Sequence, residues 1–201
     1  MKTIYLLRHG EVEDAYKDRT RGSGTDCLLS PAGKRMSLIN ARFLVLNRVQ
    51  RVITSGMKRS DYLGKYLSRH YGINHEIDTD FRELGLNEWE GRLFDDIKKA
   101  HPEASAKFMA NPLSGAFPGM EDPVECERRV LAAWERALEA DIQEQAIVAH
   151  GVINTVILRA IAKLREFPLL QEIGCMNEIV VEPPPKLVRT NVLLYTPEML
   201  S

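Results

Sequence analysis

Two of the five histidines in this 201-residue chain share one setting, in which an apolar run leads to the histidine and a glycine follows it. His9 comes after residues 3–7 (TIYLL), and His150 comes after residues 146–149 (AIVA). Such runs predict buried strands of a parallel sheet, and open α/β sheets bind ligands beyond the carboxyl ends of their strands. Because a neutral imidazole can attack as a nucleophile or transfer a proton, the pair predicts a catalytic centre. The other histidines lie in polar surroundings and are predicted to be surface residues: His70, His75 and His101.

Arginines close to these predicted strand ends indicate that the ligand is a phosphate group. Arg8 directly precedes His9, and Arg59 lies at the start of a predicted helix. A guanidinium group binds a tetrahedral oxyanion through paired N–H groups and stays charged at any working pH. In this interpretation His9 attacks phosphorus to form a covalent intermediate. The two arginines and a protonated His150 then stabilise negative charge on the transferred phosphoryl group.

Two further features are predicted to bind the substrate. Arg19 and Arg21, together with Lys17, form a local basic cluster in a chain whose formal net charge is −1. Gly151 precedes a predicted helix over residues 152–163. The free N–H groups at a helix N-terminus attract anions, so this position is expected to contact the phosphate.

The leaving group of a phosphate ester needs a proton, which a carboxyl group with a raised pKa can supply. The irregular segment 81–91 (FRELGLNEWEG) holds three candidates among apolar neighbours: Glu83, Glu88 and Glu90. Glu83 is the first choice, but the residues alone do not separate it from the other two. Asn87 and the glycines of this segment are typical of positions with a positive φ.

The elements that must position these side chains alternate between strand and helix. Strands are predicted at 3–7, 51–54, 146–149, 178–182 and 187–195, and helices at 31–46, 57–70, 94–110 with a break at His101-Pro102, from 123 onward behind an Asp122 cap, and at 152–163. This order predicts an α/β fold with a mainly parallel sheet and helices on both faces. No linker divides the chain, so residues 1–201 are expected to form a single domain.

The composition of the chain limits which partners it is expected to bind and where in the cell it is expected to be found. A net charge of −1 argues against nucleic-acid binding through bulk electrostatics, and the apolar runs are too short to span a membrane. We expect a cytoplasmic protein without a disulfide or a metal site, because its three cysteines are well separated and form no CxxC pair. The last two strands offer a sheet edge that would allow a homodimer. The cysteines are Cys27, Cys126 and Cys175.

The segments that carry these residues resemble, in order, those of the histidine phosphatase superfamily, the group named after cofactor-dependent phosphoglycerate mutase. They are LLRHGEV (6–12), RTRGSGTDCLLSPAG (19–33), TSGMKR (54–59), FRELGLNEWEG (81–91), FPGMEDP (117–123) and VAHGVIN (148–154). The resemblance implies a three-layer α/β/α sandwich of the phosphoglycerate mutase type, in which His9 is phosphorylated and Arg59 is the second arginine. It also implies that Glu83 is the proton donor and that no metal or other cofactor is required.

Departures from the family pattern lie outside the five residues to which it assigns chemistry. The loop between His9 and Asp26 is slightly longer than is typical around Ser23-Gly24. Four other positions differ from the residue common in the family, and none of them is a predicted catalytic residue: Leu28, Asn87, Met120 and Asp122. Asp122 can still cap its helix.

The expected activity is hydrolysis of a small phosphorylated metabolite. A compact chain resembles the small-molecule phosphatases of the family, and the tail (MNEIVVE, VRTNVLLY) is similar to α-ribazole phosphatase and related members. Three alternatives are a mutase that returns the phosphoryl group to the substrate, a non-catalytic module that binds a phosphorylated ligand, and a protein phosphohistidine phosphatase. Members of that last class tend to be shorter and to lack much of the insertion that carries Glu83, so the presence of this segment counts against it. Loops 11–25 and 92–121 are expected to set selectivity, which leaves the natural substrate open.

Overall fold

The computed structural model of the protein describes residues 2–163, 171–182, 185–194 and 196–200. Pro183 and Pro184, in the predicted turn between the last two strands, lie outside these ranges. Tyr195, the last residue of the final predicted strand, also lies outside them.

Six strands within the described residues form one sheet. They are Lys2–Arg8 (β1), Arg51–Thr54 (β2), Asn74–Ile77 (β3), Glu144–Ala149 (β4), Met176–Val181 (β5) and Lys186–Val192 (β6). Their order across the sheet is β3-β2-β4-β1-β5-β6. The first four pair in parallel, and β5 and β6 join in antiparallel orientation. The predicted mainly parallel α/β sheet is therefore confirmed.

Six α-helices connect or flank these strands. They are Pro31–Leu46 (α1), Lys58–Tyr71 (α2), Phe94–Ala100 (α3), Pro102–Ala110 (α4), Pro123–Glu139 (α5) and Gly151–Ala162 (α6). The side chains of Ser30 and Asp122 cap α1 and α5, each accepting a hydrogen bond from a backbone N–H of the first turn. The predicted break at His101-Pro102 separates α3 from α4, since proline cannot continue a preceding helix. No helix in the described ranges is both long enough and apolar enough to cross a bilayer.

Successive side chains of β1 point to opposite faces of the sheet, so this strand contributes apolar side chains to both faces. Tyr5 and Leu7 join an apolar cluster with residues of α1 and α2. Ile4 and Leu6 join a second cluster with residues of α5, α6 and the segment around Trp89. Two helical layers on one sheet give the three-layer α/β/α sandwich that the family resemblance implies.

The parallel register brings the two predicted catalytic histidines together. Arg8, the last residue of β1, pairs with Ala149, the last residue of β4. His9 and His150 therefore leave adjacent strands at the same level of the sheet. Thr54, the last residue of β2, pairs with Val148 of β4, so the segment that leads to Arg59 begins at this same edge.

The turn after His9 packs directly on the first turn of α1. A side chain at Gly10 would overlap the backbone of Gly33, and one at Gly33 would overlap the backbone of Glu11. The N–H of Ser30 also donates to the carbonyl of Glu11, with the two atoms 3.0 Å apart. Two glycines thus permit the close approach that fixes the chain beyond His9.

The sequence pattern does not predict β3. Its four residues (NHEI) are mostly exposed, and the strand lies at the edge of the sheet, so it lacks the apolar alternation that marks a half-buried strand. The prediction that His75 is a surface residue is wrong, because the pairing of β3 with β2 places its ring against Thr54 and Asp61. Its side chain is only 12% exposed, and Nε2 lies 3.0 Å from both Thr54 Oγ1 and Asp61 Oδ1. His70 and His101 are exposed, as predicted.

Candidate active site

His9 is held with one ring nitrogen free of a proton. Its Nδ1 lies 2.8 Å from the carbonyl oxygen of Gly10, which can only accept, so Nδ1 carries the ring proton. Burial, followed by the positive charges of Arg59 and Arg8, keeps the pKa of His9 well below its usual value. The ring is therefore neutral, and Nε2 has a lone pair.

Arg59 contacts this lone pair and is itself held by a loop. Its Nε donates to His9 Nε2 at 3.3 Å. Its other N–H groups donate to the carbonyl of Thr25 at 2.7 Å and of Gly22 at 3.2 Å. Because Arg59 is only 1% exposed, these carbonyls fix where its positive charge lies.

The same loop is fastened by Glu90. Its carboxylate accepts hydrogen bonds from the N–H groups of Gly22 and Gly24, 3.0 and 2.9 Å away, and from the hydroxyl of Thr25, 2.5 Å away. The N–H of Leu86 donates to it as well, at 3.0 Å. With four donors, this carboxylate serves to shape the loop that positions Arg59.

Arg8 lies over the N-terminus of α6. A side chain at Gly151 would come within 3.1 Å of the guanidinium carbon, so the glycine allows the flat group to approach the backbone. Nη1 of Arg8 donates to the carbonyl of Gln171 at 2.5 Å. Its Nε is buried and has no hydrogen-bond partner among the described residues.

His150 is fully buried beside His9. The ring centroids are 5.2 Å apart, with 59° between the ring planes. Nε2 lies 2.8 Å from the hydroxyl oxygen of Ser55, and Nδ1 is buried without a partner in the described part of the chain. Burial, then Arg59 and His9, lowers the pKa of His150 well below its usual value. Desolvation therefore disfavours the charged ring in the absence of an anion, whereas the expected protonated His150 refers to the ring beside a bound phosphoryl group.

The three glutamates that the sequence leaves open have different surroundings. Glu83 lines the cavity described below, and burial raises the pKa of its carboxyl group above the usual value. It accepts hydrogen bonds from the N–H groups of Leu84 at 3.0 Å and Val152 at 3.4 Å. Glu88 is exposed, and the Glu90 carboxylate already accepts hydrogen bonds from the loop at residues 22–25. Geometry thus favours Glu83, independently of the family resemblance.

A cavity of about 490 Å³ opens above His9. Its polar and charged lining residues are Arg8, His9, Lys17, Asp18, Arg19, Thr20, Arg21, Glu83, Asp95 and Lys98, and its apolar ones are Leu84, Leu86, Phe94, Phe108, Met109 and Val152. Both loops expected to set selectivity therefore contribute to the cavity. Arg59 and His150 are buried behind His9, which contacts both of them and itself lines the cavity.

Arg19 and Arg21, which the sequence predicts to bind the substrate, line the cavity and also hold their own loop. Arg19 donates to the carbonyls of Ala15 and Gly91 at 2.9 and 2.8 Å. Arg21 donates to the carbonyls of Tyr16, Lys17 and Arg19. A substrate would therefore meet guanidinium groups whose positions are already set.

Three residues organise this site in ways that the sequence does not predict: Ser55 contacts His150, the Glu90 carboxylate holds the loop at residues 22–25, and the Gln171 carbonyl accepts from Arg8. A signal existed for Ser55, which directly follows β2 as His9 and His150 follow their strands. Gln171 and Glu90 act on groups far away in sequence and carry no local pattern. Among the described residues, no group of three His, Cys, Asp or Glu side chains is arranged to hold a metal ion.

Two histidines and two arginines meet at the carboxyl edge of a mainly parallel sheet in an α/β fold, an arrangement suited to an oxyanion. The chain belongs to the histidine phosphatase superfamily, branch 1, whose family model matches residues 4–182.

Similar proteins agree with this assignment. The chain is 29% identical over 151 residues to a protein of Hydrogenobacter thermophilus named "Putative phosphoserine phosphatase 2", covering 75% of this chain and 74% of that one. Its fold matches Bacillus stearothermophilus YhfR with a TM-score of 0.87 and 22% identity, over 97% of this chain and 100% of that one. It also matches the α-ribazole phosphatase of Shigella flexneri, with a TM-score of 0.80 and 18% identity over 94% and 96% of the two chains.

Proposed function

We propose that the protein is a phosphomonoesterase that hydrolyses a small phosphorylated metabolite through a phosphohistidine at His9, with Glu83 as proton donor. The observation that carries this proposal is the state of His9. Its Nδ1 is tied to the carbonyl of Gly10, which leaves the Nε2 lone pair between a buried arginine and a second histidine at the base of a cavity.

In the first step, Nε2 of His9 attacks phosphorus as the bond from phosphorus to the ester oxygen breaks. The electron pair of that bond goes to the leaving oxygen, which takes the proton of Glu83. Arg8, Arg59 and the N-terminus of α6 stabilise the charge on the remaining phosphoryl oxygens. A carboxyl group with a raised pKa is suited to hold this proton.

In the second step, the Glu83 carboxylate takes a proton from water as the water oxygen attacks phosphorus. The phosphorus–nitrogen bond breaks, its electron pair returns to Nε2, and inorganic phosphate leaves. Glu83 is protonated again and His9 is neutral again, so both groups are ready for another substrate. None of these steps calls on a metal ion, and we expect a chelator to leave activity unchanged.

The cavity offers more room than a phosphate group needs, and its walls are both basic and apolar. This suits a metabolite with a sizeable organic part. The names of similar proteins suggest phosphoserine and α-ribazole phosphate as substrates to test first.

A panel of phosphorylated metabolites, assayed together for released phosphate and for isomerised product, tests the proposal. We expect stoichiometric release of phosphate and alcohol from at least one member, and competitive inhibition by vanadate. Isomerised product without free phosphate would instead establish a mutase. Binding of the panel without turnover would establish a binding module.

Gly151→Ala should weaken catalysis by displacing Arg8. The new methyl group would lie 3.1 Å from the guanidinium carbon, so Arg8 must shift by a fraction of an ångström. We expect kcat/KM to fall by about ten- to a hundredfold, because small misplacements of a catalytic group are costly. Thermal unfolding measured alongside should show a folded variant, and an unchanged kcat/KM would mean that Arg8 does not depend on this close approach.

A further inference from the structure

Two buried hydroxyl groups lie behind His150, on the side of the ring that faces α2. The Oγ atoms of Ser55 and Ser60 are 2.6 Å apart, and Ser55 Oγ is 2.8 Å from His150 Nε2. Both serines are 0% exposed. The N–H of Met57 points at Ser55 Oγ from 3.3 Å. Ser55 therefore has three hydrogen-bonding neighbours and a single proton to donate.

The positions of the donors decide where that proton goes. The Met57 N–H can only donate, so it uses one lone pair of Ser55 Oγ. The Ser60 hydroxyl can donate to the Met57 carbonyl, 2.9 Å away, or to Ser55 Oγ, since either serine of that pair can be the donor. The carbonyl already accepts from the N–H groups of Ser60 and Asp61 at 2.9 and 2.8 Å, whereas Ser55 Oγ has a second lone pair to fill. When Ser60 donates to Ser55, the Ser55 proton has His150 Nε2 as its acceptor.

We propose that Ser55 sets the tautomer of His150: its hydroxyl donates a hydrogen bond to Nε2, so that Nδ1 carries the ring proton and donates a hydrogen bond to the bound phosphoryl group. The proposal rests on the proposed function, because it names the donor that His150 presents to the substrate. Ser55 is a positioning residue in this account and does not touch the substrate.

The tautomer matters because burial lowers the pKa of His150 and so favours the neutral ring. A neutral ring with its proton on Nε2 would turn a bare lone pair on Nδ1 towards an anion and repel it. With the proton on Nδ1, the same neutral ring donates a hydrogen bond and avoids the cost of a third buried positive charge beside Arg8 and Arg59. The buried and unpartnered Nδ1 atom fits this role.

The direct test is a ¹⁵N spectrum of the ring-labelled wild-type protein with and without inorganic phosphate. We expect His150 Nε2 to resonate as an unprotonated nitrogen and Nδ1 as a protonated one, and Nδ1 to shift when phosphate binds. A proton on Nε2 in the neutral ring would overturn the inference. This measurement does not depend on turnover, so it separates failure of the inference from failure of the proposed phosphatase activity, which the metabolite panel tests.

Ser55→Ala provides the second test, with Thr3→Val as a matched control. Thr3 is also buried and its hydroxyl donates to Glu144 at 3.1 Å, but it lies at the opposite end of the sheet. We expect Ser55→Ala to shift the tautomer and to bind inorganic phosphate about tenfold or more weakly, as for loss of a hydrogen bond to a charged group. Ser55→Thr, which keeps the hydroxyl, should restore most of the affinity. Wild-type affinity and an unchanged tautomer in Ser55→Ala would contradict the proposal. If Ser55→Ala does not fold, the wild-type spectrum still decides.

Discussion

Replacing His9 with alanine should reduce phosphate release at least about a thousandfold, because the variant lacks the nucleophile that divides hydrolysis into two easier steps. It should also abolish incorporation of label from a ³²P-labelled substrate into base-quenched protein, since phosphohistidine survives base. The variant should still bind phosphate, because Arg8 and Arg59 are unchanged.

His70→Ala is the matched control for this experiment. His70 is exposed near the end of α2, where its ring packs against Tyr66, so its loss should change neither turnover nor labelling. Wild-type turnover in His9→Ala would remove His9 from the mechanism, whatever its surroundings suggest.

Glu83→Gln should slow the hydrolysis of alkyl phosphates by about 10²- to 10⁴-fold, the usual contribution of a general acid. It should affect p-nitrophenyl phosphate much less, because p-nitrophenolate leaves with little need of a proton. Parallel measurement of kcat/KM for both esters gives the ratio that matters. Glu88→Gln, in the same segment but exposed, is the control and should leave both values unchanged. Equal losses for the two esters in Glu83→Gln would mean that Glu83 does not protonate the leaving group.

The dependence on pH should follow from the same carboxyl group. Burial raises the pKa of Glu83, and the acid is active only while protonated, so activity towards alkyl esters should fall as pH rises through that raised pKa. His9 is neutral down to a pH well below its usual pKa, so its protonation should limit activity only at lower pH. The alkaline fall should be absent in Glu83→Gln.

Stability should move in the opposite sense to activity in Glu83→Gln. A carboxyl group whose pKa is raised in the folded state costs stability as pH rises above its ordinary pKa in the unfolded chain, and the cost is complete once pH exceeds the raised pKa, because the buried charged form is disfavoured. Glutamine removes this cost. We therefore expect the Tm at neutral pH to equal or exceed that of the wild-type protein, and the difference to vanish at low pH.

The sequence predicts the two strand-end histidines because their signal is local. An apolar run followed by histidine and glycine can be recognised within a few residues, and the parallel register then brings His9 and His150 together. Asn87 illustrates the same point. Its φ of 40° follows from a short pattern, since asparagine adopts the left-handed region at little cost.

The features that escaped prediction depend on distant neighbours. The lowered pKa of His150 arises first from burial, and its partner Ser55 lies far away in sequence. Glu90 looks like any other glutamate until the loop at Gly22 folds against it. The edge strand β3 is short and polar, so its structure comes from pairing with β2 rather than from its own composition.

The stereochemical course at phosphorus tests the covalent phosphohistidine most directly. A phosphate ester made chiral with three oxygen isotopes transfers its phosphoryl group to an added alcohol, or a phosphorothioate ester made chiral with two oxygen isotopes is hydrolysed in water carrying the third, and the configuration of the product is determined. Two in-line displacements, first by His9 and then by the acceptor, predict net retention of configuration. Net inversion would show that the acceptor attacks the ester directly, without a phosphorylated His9.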